Sequence, residues 1–336
     1  MLDILIAMFV SFVATAMLTP SIAKFLYRIG VIGIDQQKPK KPILPTSGGI
    51  AVTVGLLSGL LLIIGLNTFL LKQYQNSLLL AAMSTILIIT LIGLLDDLNV
   101  GRKMVRARTG TMEYRIGLPQ WLKALLTLPA ALPLMAVSVG ESMMILPFFG
   151  MVDFGIIYPL LLVPIAVVCV TNATNMLAGM NGLEAGLGMV ASLSLGIFAL
   201  LRGQIEGAII ALMLAAALIG FIKWNWWPAR ILPGDSLTYL IGACYVTAVV
   251  LGNVELFGII IFAPWIVEAF LKLRGQFKVA SLGILQRDGT LKSRYKKIYS
   301  LTHIPMKIGR FNEKQIAEIL ICVEILICLI SFLFFI

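Results

Sequence analysis

The sequence predicts an all-α, polytopic membrane protein with about ten transmembrane helices. Three observations predict it. Of the 336 residues, 60% are hydrophobic and 12% charged, about half the charge of an ordinary soluble domain. One water-surrounded core could not hide that much apolar side chain. The apolar residues also fall into ten runs, each near the roughly 20 residues that cross a bilayer. Finally, the basic residues sort to one side of those runs. The composition excludes a soluble enzyme, a disordered chain and a disulfide-stapled secreted domain. The long continuous runs exclude a strand barrel. The whole chain, 1–336, reads as one integral membrane domain.

The runs are 2–27, 48–67, 76–95, 121–140, 154–172, 183–201, 204–222, 237–254, 256–272 and 315–336. The first opens Met1-Leu2-Asp3 and has Lys24 and Arg28 near its end. This reverses a signal-peptide flank, so it is an uncleaved span with its N-terminus outside. With that start, 24 of the 26 Lys and Arg lie in inside loops and their edges. Only Lys72 and Arg202 fall outside. A missed or invented helix would invert every later loop and spoil the count. Both termini are therefore expected outside, or lumenal in an endoplasmic reticulum membrane, and the protein in the cell membrane otherwise. The formal net charge of +10 follows from this bias and calls for no nucleic-acid partner. Cys169, Cys244, Cys322 and Cys328 all lie in apolar segments and form no C-x-x-C pair, which leaves them as apolar filler.

The same topology places the polar motifs on the inside face. Pro45-Thr46-Ser47-Gly48-Gly49 ends the first inside loop and Asp96-Asp97 opens the second. Adjacent carboxylates at a membrane interface are costly unless they meet a cation or a proton. Asn172, Asn175, Asn181 and Glu184 punctuate a glycine-rich third loop with Gly179, Gly182 and Gly186. Asparagine carries both donor and acceptor, which suits a base edge or a hard cation. Gly234-Asp235 follows a Trp226-Trp227-Pro228 belt, and Asp235 is also placed to cap the next helix. Lys123 opens the fourth run, where snorkelling alone would explain it. The last loop is basic, holds the one histidine, His303, and contains Asp288-Gly289, the turn of a small cytoplasmic hairpin. Its basic flanks would cover a polyanionic substrate or rest on anionic lipid.

In order and type, these motifs resemble the polyprenyl-phosphate N-acetylhexosamine-1-phosphate transferase family over nearly the whole chain. The stretch Asn172 to Gly186 looks most like the eukaryotic and archaeal branch, which acts on dolichyl phosphate. Ala178 and Asn181 stand where the peptidoglycan branch has aspartates. A single His303, six residues before Gly309, replaces that branch's three histidines.

The resemblance implies a reaction and a site on the cytoplasmic face. N-acetylglucosamine-1-phosphate passes from UDP-GlcNAc to a polyprenyl or dolichyl phosphate, and UMP leaves. This would be the first membrane step in assembling an N-glycan or surface glycan. Such phosphoryl transfer rests on positioning and charge neutralisation. Asn175 and Asp235 are expected to hold Mg²⁺, with Mn²⁺ as the alternative. Asp96 is expected to act as base toward the lipid phosphate, Asp97 to support it electrostatically, and Lys123 to bind phosphate. Asn181, Gly182 and Glu184 are expected to bind substrate, with Asn181 reading uracil. Arg274, Gln276 and Lys278 are expected on the sugar and diphosphate, and His303, matched to a family histidine by its spacing from Gly309, is expected to bind substrate. Relatives in the family often dimerise, so a homodimer is expected on the resemblance alone. The alternatives are the same reaction with another UDP-HexNAc or UDP-MurNAc-pentapeptide and, in a different class, a lipid transporter or flippase. A transporter would carry its ionisable groups at mid-membrane on broken, repeated helices; here they sit at helix ends with no repeat.

Overall fold

A computed structural model describes residues 1–98, 101–107, 110–116, 118–140, 142–146 and 150–335. Helix α1 is Leu2–Arg28, and the strand pair β1 (Ile32–Ile34) and β2 (Ile43–Pro45) leads to α2, Gly49–Leu66. A π-helical turn, Asn67–Leu71, extends α2, and α3 follows at Asn76–Leu98. Strands β3 (Gly101–Ala107) and β4 (Gly110–Ile116) form an antiparallel hairpin. Next come α4 (Gln120–Thr127), a 3₁₀ turn at Leu128–Ala131 and α5 (Leu132–Ala136). The hairpin β5 (Met143–Leu146) and β6 (Gly150–Asp153) precedes a π-helical turn, Tyr158–Leu162, that runs into α6, Val163–Thr174.

The remaining helices are α7 (Leu183–Leu201), α8 (Ile205–Asn225), α9 (Gly234–Leu251), α10 (Glu255–Ile261) and α11 (Ala263–Arg274). The last loop carries β7 (Ile284–Leu285), β8 (Leu291–Lys292) and α12 (His303–Ile308), and α13 (Glu313–Phe335) closes the chain.

Each of the ten apolar runs is helical, but ten separate spans are not established. Among the described residues, seven helices are long and apolar enough to cross a membrane, or eight if α10 and α11 count as one. The two shorter segments are Trp121–Ala136 and Tyr158–Thr174. At 1.5 Å per residue such lengths reach only about 25 Å, short of the roughly 30 Å hydrocarbon core. Pro129 and Pro133 divide the first of these into α4, a 3₁₀ turn and α5. The run at 256–272 is likewise not one rod: α10 and α11 meet at 61°. Pro264 lies in the first turn of α11, where it removes an amide hydrogen and clashes with the carbonyl four residues back.

Helix α9 is the centre of the bundle. Its membrane-length window is 89% buried, against 28% for α1 and 33% for α13. It packs on α3, α6 and α8, while α1 pairs with α2 and α8, and α13 with α7. The α3–α9 contact is close because a Cβ at Gly93 would lie 2.7 Å from the Asp235 carbonyl oxygen. That crossing brings the Asp96-Asp97 end of α3 against the first turn of α9.

The hairpin expected around Asp288-Gly289 is present. Ile284 pairs with Lys292 and Leu285 with Leu291, and Gly289 takes the positive φ of 83° that glycine adopts without strain. The other three strand pairs had no clear signal in the sequence.

Candidate active site

Lys123, Asp96, Asp235 and Asn175 form one connected cluster. Lys123 Nζ donates to Asp96 Oδ2, and to Asp235 Oδ2 at 2.9 Å. The Leu118 amide donates to the other Asp96 oxygen at 2.5 Å. Asn175 Nδ2 donates to Asp235 Oδ2 at 3.1 Å, and its Oδ1 accepts the Thr238 hydroxyl at 2.9 Å. Four residues from the ends of four helices therefore meet, although 139 positions separate the first from the last. Behind them, Tyr239 donates to Asn172 Oδ1 at 3.1 Å.

Asp97 takes a different position from the one expected. Its side chain is 4% exposed, and its two oxygens accept the amides of Asp235 at 2.8 Å and Ser236 at 3.1 Å. A carboxylate from α3 thus satisfies amides that the first turn of α9 leaves without helical partners. Asp97 performs the capping role considered for Asp235, which frees the Asp235 carboxylate for the cluster. Gly234 permits this approach. It has φ +72°, and a Cβ there would lie 2.4 Å from Asp97 Oδ2. The Gly48-Gly49 segment braces the same turn, with its amides donating to Leu232 and Pro233 carbonyls at 3.0 and 3.2 Å.

Asn175, Asp235 and Thr238 line one side of a cavity of about 220 Å³, which Gly179, Asn181 and Glu184 line on another. Gly182 caps α7 with φ 80°. Glu184 Oε1 accepts the Gly179 amide at 2.7 Å, and Oε2 is buried with no hydrogen-bond partner among the described residues. Asn175, Asp235, Asn181 and Glu184 thus give the cavity a polar lining.

A second, larger cavity of about 890 Å³ is apolar and runs between α4, α6, α9 and the bent α10–α11 pair. Trp121 and Ala124, either side of Lys123, line it, as do Asn172, Ala173 and Met176 of the Asn175 turn. The charged cluster lies between the polar cavity and this groove.

The last-loop residues stand apart. Arg274, Gln276 and Lys278 are exposed and line neither cavity. Arg274 lies over the Tyr299 ring, 5.8 Å from its centroid. His303 is buried, with Nδ1 3.3 Å from the Tyr299 amide and Nε2 3.2 Å from the Ala280 carbonyl. An amide only donates and a carbonyl only accepts, so the ring is neutral with its proton on Nε2. Burial, aided by the charge of Lys272, pushes His303 down to about 4. In this arrangement His303 holds the loop together and lines neither cavity.

Four residues near the polar cavity escaped sequence reading, and of these Asp35 lines it. Lys38, in the β1–β2 loop, joins Asp35, Asn181 and Glu313. Gln37 donates to the Gly179 carbonyl at 3.0 Å and accepts the Gly283 amide at 3.1 Å. The one available signal was Glu313, a carboxylate between Arg310 and Lys314 in a basic loop.

The chain is similar to known proteins. The family model for Glycosyl transferase family 4 matches residues 78–253, just over half of the chain and all four members of the cluster. The chain belongs to this family. A Saccharolobus solfataricus protein is 33% identical over 98% of this chain and 95% of its own. A Sulfolobus acidocaldarius protein is 32% identical over 99% and 97%. Both carry the provisional name UDP-N-acetylglucosamine–dolichyl-phosphate N-acetylglucosaminephosphotransferase. The Schizosaccharomyces pombe protein of that name is 26% identical over 87% of this chain and 73% of its own.

Proposed function

We propose that this protein transfers N-acetylglucosamine-1-phosphate from UDP-GlcNAc to a dolichyl-type polyprenyl phosphate. The observation that carries the reading is the position of the Asp96–Lys123–Asp235 cluster between a polar cavity and an apolar groove. A nucleotide sugar needs the first, a polyprenyl chain the second, and their phosphates must meet between them. The names of the archaeal and yeast relatives supply the sugar and the lipid.

In the reaction a lipid phosphate oxygen forms a bond to the β-phosphorus of UDP-GlcNAc. The bond from that phosphorus to the bridging oxygen breaks, and UMP leaves with the electron pair. Lys123 places one positive charge between two carboxylates, where it can transfer its hydrogen bonds to incoming phosphate oxygens. Asp96 holds Lys123 and accepts or orients the proton of the lipid phosphate. The second pKa of a phosphate monoester is near 6, so little basicity is required. Glu184 Oε2 suits a ribose or sugar hydroxyl, since a buried acceptor without a partner gains most from a donor.

The residues at the cluster also fit a divalent cation. Thr238 can accept as well as donate, so turning the Asn175 amide over keeps a partner for Nδ2 and sets Oδ1 beside Asp235 Oδ2. Two hard oxygens side by side suit Mg²⁺, which keeps its other positions for water and substrate. When bound there, the ion would neutralise charge on the diphosphate.

With both termini outside, the site opens on the cytoplasmic face. Radiolabelled UDP-GlcNAc and polyprenyl phosphate, given to purified protein, test the proposal. UMP release that requires both the lipid phosphate and a divalent cation is expected. Release without the lipid phosphate would overturn it, and so would a preference for another UDP-sugar.

A further inference from the structure

The β3–β4 hairpin has no part in the transfer described above. We infer that it docks on the cytoplasmic leaflet, with one face at the acyl boundary and its arginines among anionic lipid headgroups.

The register separates the residue types by face. Gly101 pairs with Ile116, Lys103 with Tyr114, Val105 with Met112 and Ala107 with Gly110. Residues two apart on a strand share a face. Val105, Ala107, Met112, Tyr114 and Ile116 therefore fall on one face, with Lys103 its single charge. The alternate pairs are Arg102 with Arg115, Met104 with Glu113 and Arg106 with Thr111. All three arginines of the two strands fall on this second face. An apolar face backed by a basic one is the signature of segments that lie in a membrane interface.

The rest of the chain offers little cover. Among the described elements, β3 and β4 pack extensively only on each other. A lone two-stranded hairpin is marginally stable at best in water, so its apolar face needs a surface. The bilayer is the surface within reach. Strand β3 begins three positions after Leu98 ends α3, and β4 ends four positions before Gln120 opens α4. Leu98 and Trp121 are both exposed at these junctions, and tryptophan favours the headgroup level. Both ends of the hairpin thus stand at the interface, on the side that the basic loops mark as cytoplasmic.

Charge names the partner. Arg102, Lys103, Arg106 and Arg115 stand against Glu113, the one acid of the two strands. Anionic lipids of the cytoplasmic leaflet attract such basic segments. Docking there also reaches the site. Leu118, two positions after β4, donates its amide to Asp96 at 2.5 Å. A hairpin held on the leaflet steadies that amide, so the surface charge of the membrane bears on turnover. This consequence rests on the role proposed for Asp96.

The test is spin labelling of the full chain in lipid nanodiscs. Met112→Cys and Thr111→Cys, made singly in a cysteine-free background, carry the label on opposite faces. With phosphatidylglycerol mixed into phosphatidylcholine, the label at 112 should be accessible to oxygen, which concentrates in lipid, and the label at 111 to a water-soluble nickel chelate. In phosphatidylcholine alone both should turn toward water. Arg102→Gln, Arg106→Gln and Arg115→Gln should each lower the docked-to-free ratio about fivefold, whereas lysine substitutions at the same positions, which keep the charge, should preserve it. Turnover should rise with phosphatidylglycerol in the wild type and not in the triple glutamine variant. Water access at both positions in every bilayer would overturn the inference. So would a label at 112 shielded equally with and without phosphatidylglycerol, which would assign the face to a second copy of the chain. Depth that follows phosphatidylglycerol while turnover does not would overturn the link to Asp96. Turnover absent from every bilayer, with the depth response intact, would instead overturn the proposed function.

Discussion

Replacing Asp97 with asparagine separates a structural carboxylate from a reacting one. In the structure Asp97 accepts two amides from the first turn of α9, at 2.8 and 3.1 Å, while almost wholly buried. Asparagine keeps one acceptor. Its NH₂ must face the other amide, donor against donor. The lost charge-assisted bond is worth about 1.5–3 kcal/mol, and the favourable interaction with the helix end up to about 2 kcal/mol more. Against this, a neutral amide costs less to bury than a carboxylate. The net expectation is about 2 kcal/mol of destabilisation, with Asp235 displaced because its amide loses its anchor. Intrinsic tryptophan fluorescence on heating would read the first effect and UMP release the second. Asp97→Asn should lower both the melting midpoint and turnover, and Asp97→Ala, which removes both acceptors, should lower the midpoint further. A wild-type midpoint with turnover abolished would refute this reasoning and return Asp97 to the substrate.

Three further outcomes are expected. Asp235→Asn should weaken UDP-GlcNAc binding in Mg²⁺ at every pH, whereas Asp96→Asn should spare binding and recover turnover as pH rises past about 6, where the lipid phosphate loses its proton unaided; calorimetry beside a pH–rate profile checks both, and equal loss of binding would make Asp96 part of the cation site. His303 is neutral in the fold, with its pKa depressed to about 4 from 6.5, so the stability it contributes is full above about 6.5 and is lost as pH falls toward 4; melts across that range should show an acid limb that flattens in His303→Gln. Cysteines placed singly at Lys72 and Lys292 in a cysteine-free background should label from opposite sides of the membrane; labelling from one side would break the proposed topology.

Much of the molecule was legible because lipid imposes long apolar runs, and every such run is built from helix, two of them in more than one piece. The span count was less legible. Hydropathy registers Leu128 to Ala136 as continuous, while Pro129 and Pro133 reset the helix there. Asp96, Lys123, Asn175 and Asp235 were each visible as polar residues at helix ends, and the fold joins all four. What could not be read was the partner of each atom. Nothing near Asp97 in sequence announces that its acceptors are spent on amides 138 and 139 positions later. Lys38 looked like one more inside-loop charge, because burial beside Glu313, 275 positions away, leaves no local pattern. His303 stood out as the one histidine in the chain, yet its ring nitrogens are engaged by backbone.

The 61° bend between α10 and α11 also determines how this enzyme would meet one of its substrates. Trp121, Ile259, Phe270 and Leu273 belong to the apolar groove and are among the exposed large side chains, so the groove opens on the lipid-facing surface. A polyprenyl phosphate would then arrive sideways, by diffusion within the leaflet, without passing through water. Its effective concentration is a surface density. Rates should follow the mole fraction of polyprenyl phosphate among the surrounding lipids, and adding inert phospholipid or detergent at constant total substrate should slow the enzyme as a competing ligand would.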